Sequence, residues 1–318
     1  SDLWDLRPTA DLDKLDFAAV QQHVKSNTNE QVQRLGDVPY ERDPAPTKIP
    51  GAALEFDTGP MGDVESAKVI IQQGLAEIVW RNNDTFLSFV HPELPIGWFR
   101  FDRKDIRPTL IPPLYADAAN SGQGNSVQGQ GLARLGYAQG QMSEGENFIS
   151  YVQPGWNGFE YRVAVSWRVV NGKLEGVWAI TSNHGGKDDS SAESLTKAAI
   201  GRYNQDLAVT LDWWTQFWSQ SSVSLPDSLL ERQWYLEQYK FGCVARANTP
   251  PITLQAIWTA DNGNLPPWKG DIHNDLNLQL SYWPAYSGNH LREAEGMVNW
   301  LHSLRPEFER WTKAYFGA

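Results

Sequence analysis

The feature that most constrains this chain is a change of texture near residue 185. From about 50 to 185 the sequence reads as short strands. Ala76-Glu77-Ile78-Val79-Trp80, Thr85-Phe86-Leu87-Ser88-Phe89-Val90 and Gly97-Trp98-Phe99-Arg100-Phe101 are aromatic or β-branched runs. Turn residues such as Asn82-Asn83-Asp84 and Pro92 to Pro95 separate them. The run from Phe159 to Trp167 alternates with period two and passes through Asn171-Gly172-Lys173 into a second run, Leu174 to Ile180. An Asn-Gly pair between two such runs is the strongest short hairpin signal in a sequence. Strands joined by turns, without helices between most of them, predict an antiparallel β-sandwich.

After Asn183-His184-Gly185-Gly186 the spacing becomes helical. One pattern runs from about Ser191 to Gln220. A second starts at Pro226-Asp227-Ser228, with the proline where a missing N–H is tolerated and Leu230, Trp234, Phe241 and Val244 on one face. A third carries Leu291, Ala294, Val298, Leu301, Phe308 and Tyr315, and Pro306 kinks or splits it. The expected class is therefore α+β multidomain, with the sandwich domain over 1–188, a helical linker over 189–225 and a helical region over 226–318. The stretch from Ala118 to Gly145 holds seven glycines among Gln, Ser and Asn and reads as a loop or mobile excursion. Its glycines do not lead a strand into a helix, so a phosphate cradle is not expected.

Composition narrows the function. The 318 residues carry 27 Lys+Arg against 38 Asp+Glu, a net charge of −11, which disfavours nucleic acid and anionic membrane surfaces as partners. No apolar run reaches the roughly 18 residues of a membrane span. The N-terminus shows no basic or apolar signal core, and the single cysteine, Cys243, precludes an internal disulfide or an all-cysteine metal site. Tryptophan is unusually frequent, at 15 residues, with nine from Trp213 onward. Most are expected in the core, but an indole face also stacks on the C–H face of a sugar ring.

The window from Leu254 to Ala285 departs from both textures, gathering Trp258, Trp268 and Trp283 with Asp271, Asp275, His273, Asn274 and Asn277 around Pro and Gly. Aromatic, carboxylate and carboxamide groups on loops suit hydroxyl-rich ligands. Bland roles compete. Asn274 or Asp275 can cap the following helix, with Asn274 the favoured candidate, and Asp271 with His273 can form a local hydrogen-bonded pair. Asp275 and Asn277 share a face only in an extended segment, since two helical residues point about 200° apart. Asp261, Asn262 and Asn264 resemble a calcium loop in composition alone, so neither metal nor cofactor is expected.

Three stretches carry a family resemblance: Leu254-Gln255-Ala256-Ile257-Trp258, Pro266-Pro267-Trp268, and Asp275-Leu276-Asn277-Leu278-Gln279-Leu280-Ser281-Tyr282-Trp283-Pro284. In order and spacing they resemble glycoside hydrolase family 95, the inverting α-L-fucosidases and related α-L-galactosidases. The family pattern reads roughly Leu-Gln-Gly-Ile-Trp-Asn, Pro-Pro-Trp, then Asn-x-Asn-x-Glu-x-Asn-Tyr-Trp-Pro. Asp2 to Pro8 and Pro46 to Gly51 also resemble sandwich segments of this group. The similarity is strong over about 226–302 and loose before it.

The resemblance implies a β-sandwich, a helical linker and the beginning of an (α/α)6 barrel that holds the site. It implies that Asn277 positions the catalytic water and that Asp275, standing where the family has asparagine, takes a base role or binds sugar hydroxyls. Trp258, Trp268, His273, Gln279 and Trp283 become candidate substrate-binding residues. Gln279 replaces the family glutamate and Ala256 the family glycine. The general acid is implied to lie further along the barrel, so the chain is expected to be a fragment or one chain of a split enzyme, inactive alone. The expected partners are an oligosaccharide or a plant or host glycan, together with a second chain or C-terminal segment completing the barrel. The expected location is secreted or periplasmic. Competing readings are a non-catalytic carbohydrate-binding protein and another (α/α)6 enzyme, a phosphorylase or a lyase.

Overall fold

The computed structural model describes residues 3–8, 16–116, 124–184, 191–256 and 264–317. In chain order the first elements are β1 (Trp4–Asp5), α1 (Phe17–Lys25), α2 (Asn29–Arg42), β2 (Thr47–Lys48) and β3 (Ala53–Phe56). Strands β4 (Val64–Ile70), β5 (Leu75–Trp80), β6 (Thr85–Val90), β7 (Ile96–Phe101) and β8 (Pro108–Ile111) follow. Next come β9 (Gln141–Gly145), β10 (Phe148–Pro154), β11 (Glu160–Val170) and β12 (Lys173–Ser182). The helices α3 (Ala192–Ala199), α4 (Tyr203–Ser219), α5 (Ser228–Val244), α6 (Leu276–Ser287), α7 (Leu291–Ser303) and α8 (Arg305–Phe316) complete the described chain.

These elements form two compact units, neither continuous in sequence. One comprises Gly51–Pro113 and Ala138–Tyr239; the other comprises Asp2–Pro50, Leu114–Tyr137 and Lys240–Ala318.

The first unit is built on an eight-stranded sheet of order β4-β5-β6-β7-β12-β11-β10-β9, antiparallel throughout. Two meanders, β4 to β7 and β9 to β12, meet at the β7–β12 seam. The Asn171-Gly172 hairpin forms as its sequence dictates: both residues adopt positive φ (51° and 78°), and Val170 pairs with Lys173. At the seam each of two aromatic rings covers a glycine on the facing strand. Trp178 pairs with Gly97 and Phe99 with Gly176, and a Cβ on either glycine would fall within 2.2 Å of the opposing ring.

One face of the sheet packs Phe89, Ile96, Trp98 and Val177 against Ala192 and Ala199 of α3 and Tyr203 of α4. Trp98, fully buried, donates from Nε1 to Asp206 Oδ2 at 3.0 Å, so its polar edge is satisfied inside the core. The other face receives Phe56 from the small β3–β8 sheet, with ring centroids 4.8 Å from Phe99 and 5.0 Å from Phe101. The predicted antiparallel β layer and helical region are thus present.

The helical pattern over 191–220 is two helices, broken at Gly201, whose φ of +105° no helix accommodates. Asp227, rather than the proline before it, caps α5: its Oδ1 accepts from the N–H groups of Leu229 (2.9 Å) and Leu230 (3.3 Å). Part of the stretch read as a loop, Gln141–Gly145, is β9.

In the second unit β1 pairs with β2, Trp4 opposite Lys48, apart from the large sheet. Helices α1 and α2 lie between these strands in sequence, and Asp16 opens α1 by accepting from the Ala19 N–H at 2.7 Å. The core gathers Phe241, Ala245, Leu278, Tyr282, Ala285 and Ala294. The apolar stripe expected on α7 does not define its buried face. Leu291 and Val298 are exposed, while Glu293, Ala294 and Gly296 are buried. Gly296 permits this, because a Cβ there would sit 2.2 Å from the Arg246 carbonyl. Pro306 lies in the first turn of α8 and separates it from α7 as expected. The described residues after 226 carry α5 to α8, four helices, and four helices do not make a twelve-helix barrel. Among the described residues no helix is long and apolar enough to cross a membrane.

Candidate functional site

Three separate segments of the second unit build the site. The glycine-rich segment supplies a clamp. Ser126 Oγ donates to the Tyr40 carbonyl (2.6 Å), Gln130 Nε2 to that of Glu41 (3.0 Å) and Arg134 Nη2 to that of Arg42 (2.6 Å), which ties the end of α2 to residues 126–134. On its other side Leu265 N–H donates to Gln130 C=O (2.7 Å) and Trp268 N–H to Ser126 C=O (2.5 Å). Gly129 makes this approach possible: its φ is +86°, and a Cβ would lie 2.5 Å from the Leu265 carbonyl oxygen. Described residues 124–137 are therefore a bonded support, where the sequence suggested a mobile excursion.

The clamp holds a contorted segment. Trp268, Lys269 and Gly270 follow one another with positive φ (47°, 59° and 59°), a costly conformation for the first two. The turn tucks Lys269 inward, with 3% of its surface exposed. Its Nζ stands 4.5 Å from the Tyr40 ring centre and donates to the Ala45 carbonyl at 3.3 Å. Burial pushes this ammonium down to about 8. A second buried lysine, Lys48, donates from Nζ to Thr253 Oγ1 (3.3 Å) and to the Ala256 carbonyl.

Beyond the turn, Asp271 is fixed at both backbone groups: its N–H donates to Trp268 C=O (3.2 Å), and its C=O accepts from Leu254 N–H (2.9 Å). His273 Nε2 lies 2.7 Å from Asp271 Oδ1, an ion-pair distance without the hydrogen bond read from the sequence, and Tyr40 OH donates to Asp271 Oδ2 at 3.3 Å. Burial raises the Asp271 carboxyl above its ordinary value despite the nearby His273, Tyr40 and Lys269. The same burial, together with the Asp271 carboxylate, pushes the Tyr40 phenol up to about 12.

Helix α6 then begins. Asp275 is its N-cap, Oδ1 accepting from the Asn277 N–H at 3.1 Å. The cap is Asp275 and not Asn274: residue 275 directly precedes the first helical turn, and its side chain is the one that accepts from the Asn277 N–H. Asn277, Leu278, Leu280 and Ser281 present one side of α6 to Ile252, Thr253, Leu254 and His273, enclosing a cleft of about 130 Å³. Its polar groups are an imidazole, a carboxamide and two hydroxyls. These are donors and acceptors suited to a hydroxylated ligand, although the volume falls below the ~300 Å³ of an ordinary ligand pocket.

The cleft thus unites Asn277 and His273. Asp275 stands exposed at its helix end with no partner on Oδ2 among the described residues. Gln279 faces solvent elsewhere on α6, and Trp268 and Trp283 are exposed (42% and 55%) without lining the cleft. Trp258 and the residues Asp261 and Asn262 of the weak calcium-like run lie outside the described residues. Thr253, Ser281 and Tyr40 escaped the sequence reading. The hydroxyls carry no motif, and Tyr40 is more than 230 positions away from its carboxylate partner.

Over 91 residues the chain is 30% identical to Alpha-L-fucosidase 2 of Arabidopsis thaliana. That stretch is 29% of this chain and spans only 11% of the relative's length. The family resemblance is shown where the motifs lie: residues 208–318 match the Glycosyl hydrolase family 95 catalytic domain.

Proposed function

We propose that this chain is part of a glycoside hydrolase that cleaves terminal α-L-fucosyl or related L-sugar linkages with inversion. The observation that carries the reading is a coincidence of place. The family match over 208–318 covers the helix that brings Asn277 to the same cleft as His273. In this reading Asn277 orients the attacking water by its carboxamide, and His273, Thr253 and Ser281 bind sugar hydroxyls. Asp275 uses one carboxylate oxygen as a cap and offers the other to the substrate. Trp258, Trp268 and Trp283 supply stacking faces, and Gln279 a further polar contact, to sugar units that extend beyond the cleft. Inverting hydrolysis needs an acid and a base about 6.5–9.5 Å apart on opposite sides of the bond. Among the described residues no carboxylate lines the cleft. The general acid then comes from a further segment or a second chain that extends the helices toward an (α/α)6 barrel, and the 318-residue chain alone is inactive.

Titration of the purified chain with L-fucose, L-galactose and D-glucose, followed through the Asn277 side-chain amide by NMR, tests the ligand. Shifts with the two L-sugars, absent with D-glucose and lost in His273→Gln, are expected. No response to either L-sugar overturns the substrate assignment. Turnover of an aryl α-L-fucoside by the chain alone overturns the claim that the acid lies elsewhere.

A further inference from the structure

A hollow of about 440 Å³ opens on the first unit, within the ordinary size range of small-molecule pockets. The register of the sheet sets its floor. Trp167 and Val169 alternate on β11, and Val169 pairs with Leu174 of β12, so these three side chains share the face opposite α3. The rim comes from two turns at that end of the sheet: Lys104, Asp105 and Arg107 after β7, and Glu146 and Asn147 between β9 and β10. Both turns are bonded to the floor strands. Leu174 N–H donates to the Arg103 carbonyl (2.6 Å), and Trp167 N–H donates to the carbonyl of Asn147 (3.0 Å), whose φ is +57°. Arg103 is held in turn by Asp84 at 3.2 Å and by both carboxylate oxygens of Asp105. The walls of the hollow are therefore fixed before any ligand arrives.

We propose that this hollow is a binding site for a neutral saccharide, built from none of the residues of the α6 cleft. Two lining cations, Lys104 and Arg107, are matched by two lining carboxylates, Asp105 and Glu146, so a ligand with net charge of either sign meets a like charge in the rim. Hydroxyl groups accept from the cations and donate to the carboxylates, and the Asn147 carboxamide can do both. Among the described residues the Lys104 and Glu146 side chains make no hydrogen bond or ion pair, which leaves them available to a ligand. Trp167 is 8% exposed, so it offers a strip of indole beside Val169 rather than a free stacking face. The C–H groups of a sugar ring pack on such a floor while its hydroxyls reach the rim. The site stands on the first unit alone, whether or not the L-sugar reading of the cleft holds.

The test is titration of the isotope-labelled 318-residue chain with lactose, cellobiose and maltose, followed by NMR through the Trp167 indole N–H. That signal is identified by its absence in Trp167→Phe. At least one of the three disaccharides is expected to move it saturably in the millimolar range. The double variant Lys104→Ala with Glu146→Ala changes two exposed side chains that hold nothing in the fold. It is expected to weaken the response about tenfold with the melting temperature unchanged, the scale of one or two lost hydrogen bonds. Sodium glucuronate and protonated glucosamine are expected to bind more weakly than the disaccharide that binds. An indole signal that none of the three disaccharides moves overturns the proposal, as does a response the double variant leaves intact. Tighter binding of glucuronate or glucosamine overturns the neutral class. The Asn277 amide reports L-sugars at α6 as a separate signal, so this site and the proposed function stand or fall apart.

Discussion

The two units reach order by opposite routes. In the first, most pairing is between neighbours in sequence: β4 to β7 and β9 to β12 each fold back through tight turns, and among the described residues the β7–β12 seam and the small β3–β8 pair join distant strands. In the second, the defining bonds link the forties, the 126–134 segment and the 250–273 segment, mostly through backbone carbonyls. The first unit is stabilised mainly by buried apolar surface, which tolerates adjustment. The second holds its site by directional hydrogen bonds and strained backbone, which fail when one partner is displaced.

The largest effects should expose that difference. Trp98→Ala removes a fully buried indole and its hydrogen bond to Asp206, which keeps Arg202 as a partner, and is expected to cost about 3–5 kcal/mol, with loss of amide protection across β6, β7 and β12. Gly129→Ala adds one methyl group yet is expected to cost about 2 kcal/mol, because the residue has positive φ and its Cβ meets the Leu265 carbonyl. Its signature is local, in the exchange of the Leu265 and Trp268 amides. If Gly129→Ala is silent there, the clamp is not what holds the 265–270 turn.

Legibility followed the same line. The Asn171-Gly172 hairpin and the strand β6 were readable because turn chemistry and alternation act over a few residues. The buried face of α7 was not. Its contact is made by Ala294 in the apolar core and by Gly296 against the Arg246 carbonyl, and the exposed Leu291 and Val298 carried the apolar count. At the site, Asn277, His273 and the Asp271 pair were visible as residue types in one window. The partners that fix them, Tyr40 and Ser126, arrive from far along the chain and leave no periodic trace.

A pH titration sharpens the contrast at intermediate size. Lys269 has a value of about 8 in the fold against its ordinary 10.5, so between those values the unfolded chain binds a proton that the folded chain does not. Stability therefore rises with pH through that window, by on the order of 2 kcal/mol between about pH 8 and pH 10. Tyr40, raised to about 12, has the opposite sign and acts only above its ordinary 10.0. Urea denaturation at several pH values should show the rise in the wild type and its absence in Lys269→Met. A wild-type curve as flat as that of the variant would mean that the ammonium is solvated.

The smallest expected change in stability is also the most discriminating for the site. Asp275 caps α6, so Asp275→Ala should cost about 1 kcal/mol, whereas Asp275→Asn should stay within a few tenths because asparagine caps as well. The two variants separate structure from chemistry. Asparagine at 275 keeps the acceptor for the Asn277 N–H but removes the charge on the second oxygen, the one assigned to the substrate. Asp275→Asn is therefore expected to melt like the wild type and to bind L-fucose more weakly. If L-fucose binding is instead unchanged in Asp275→Asn and reduced in Asp275→Ala, the carboxylate acts only by holding the first turn of α6, and Asn277 alone carries the polar chemistry of that helix.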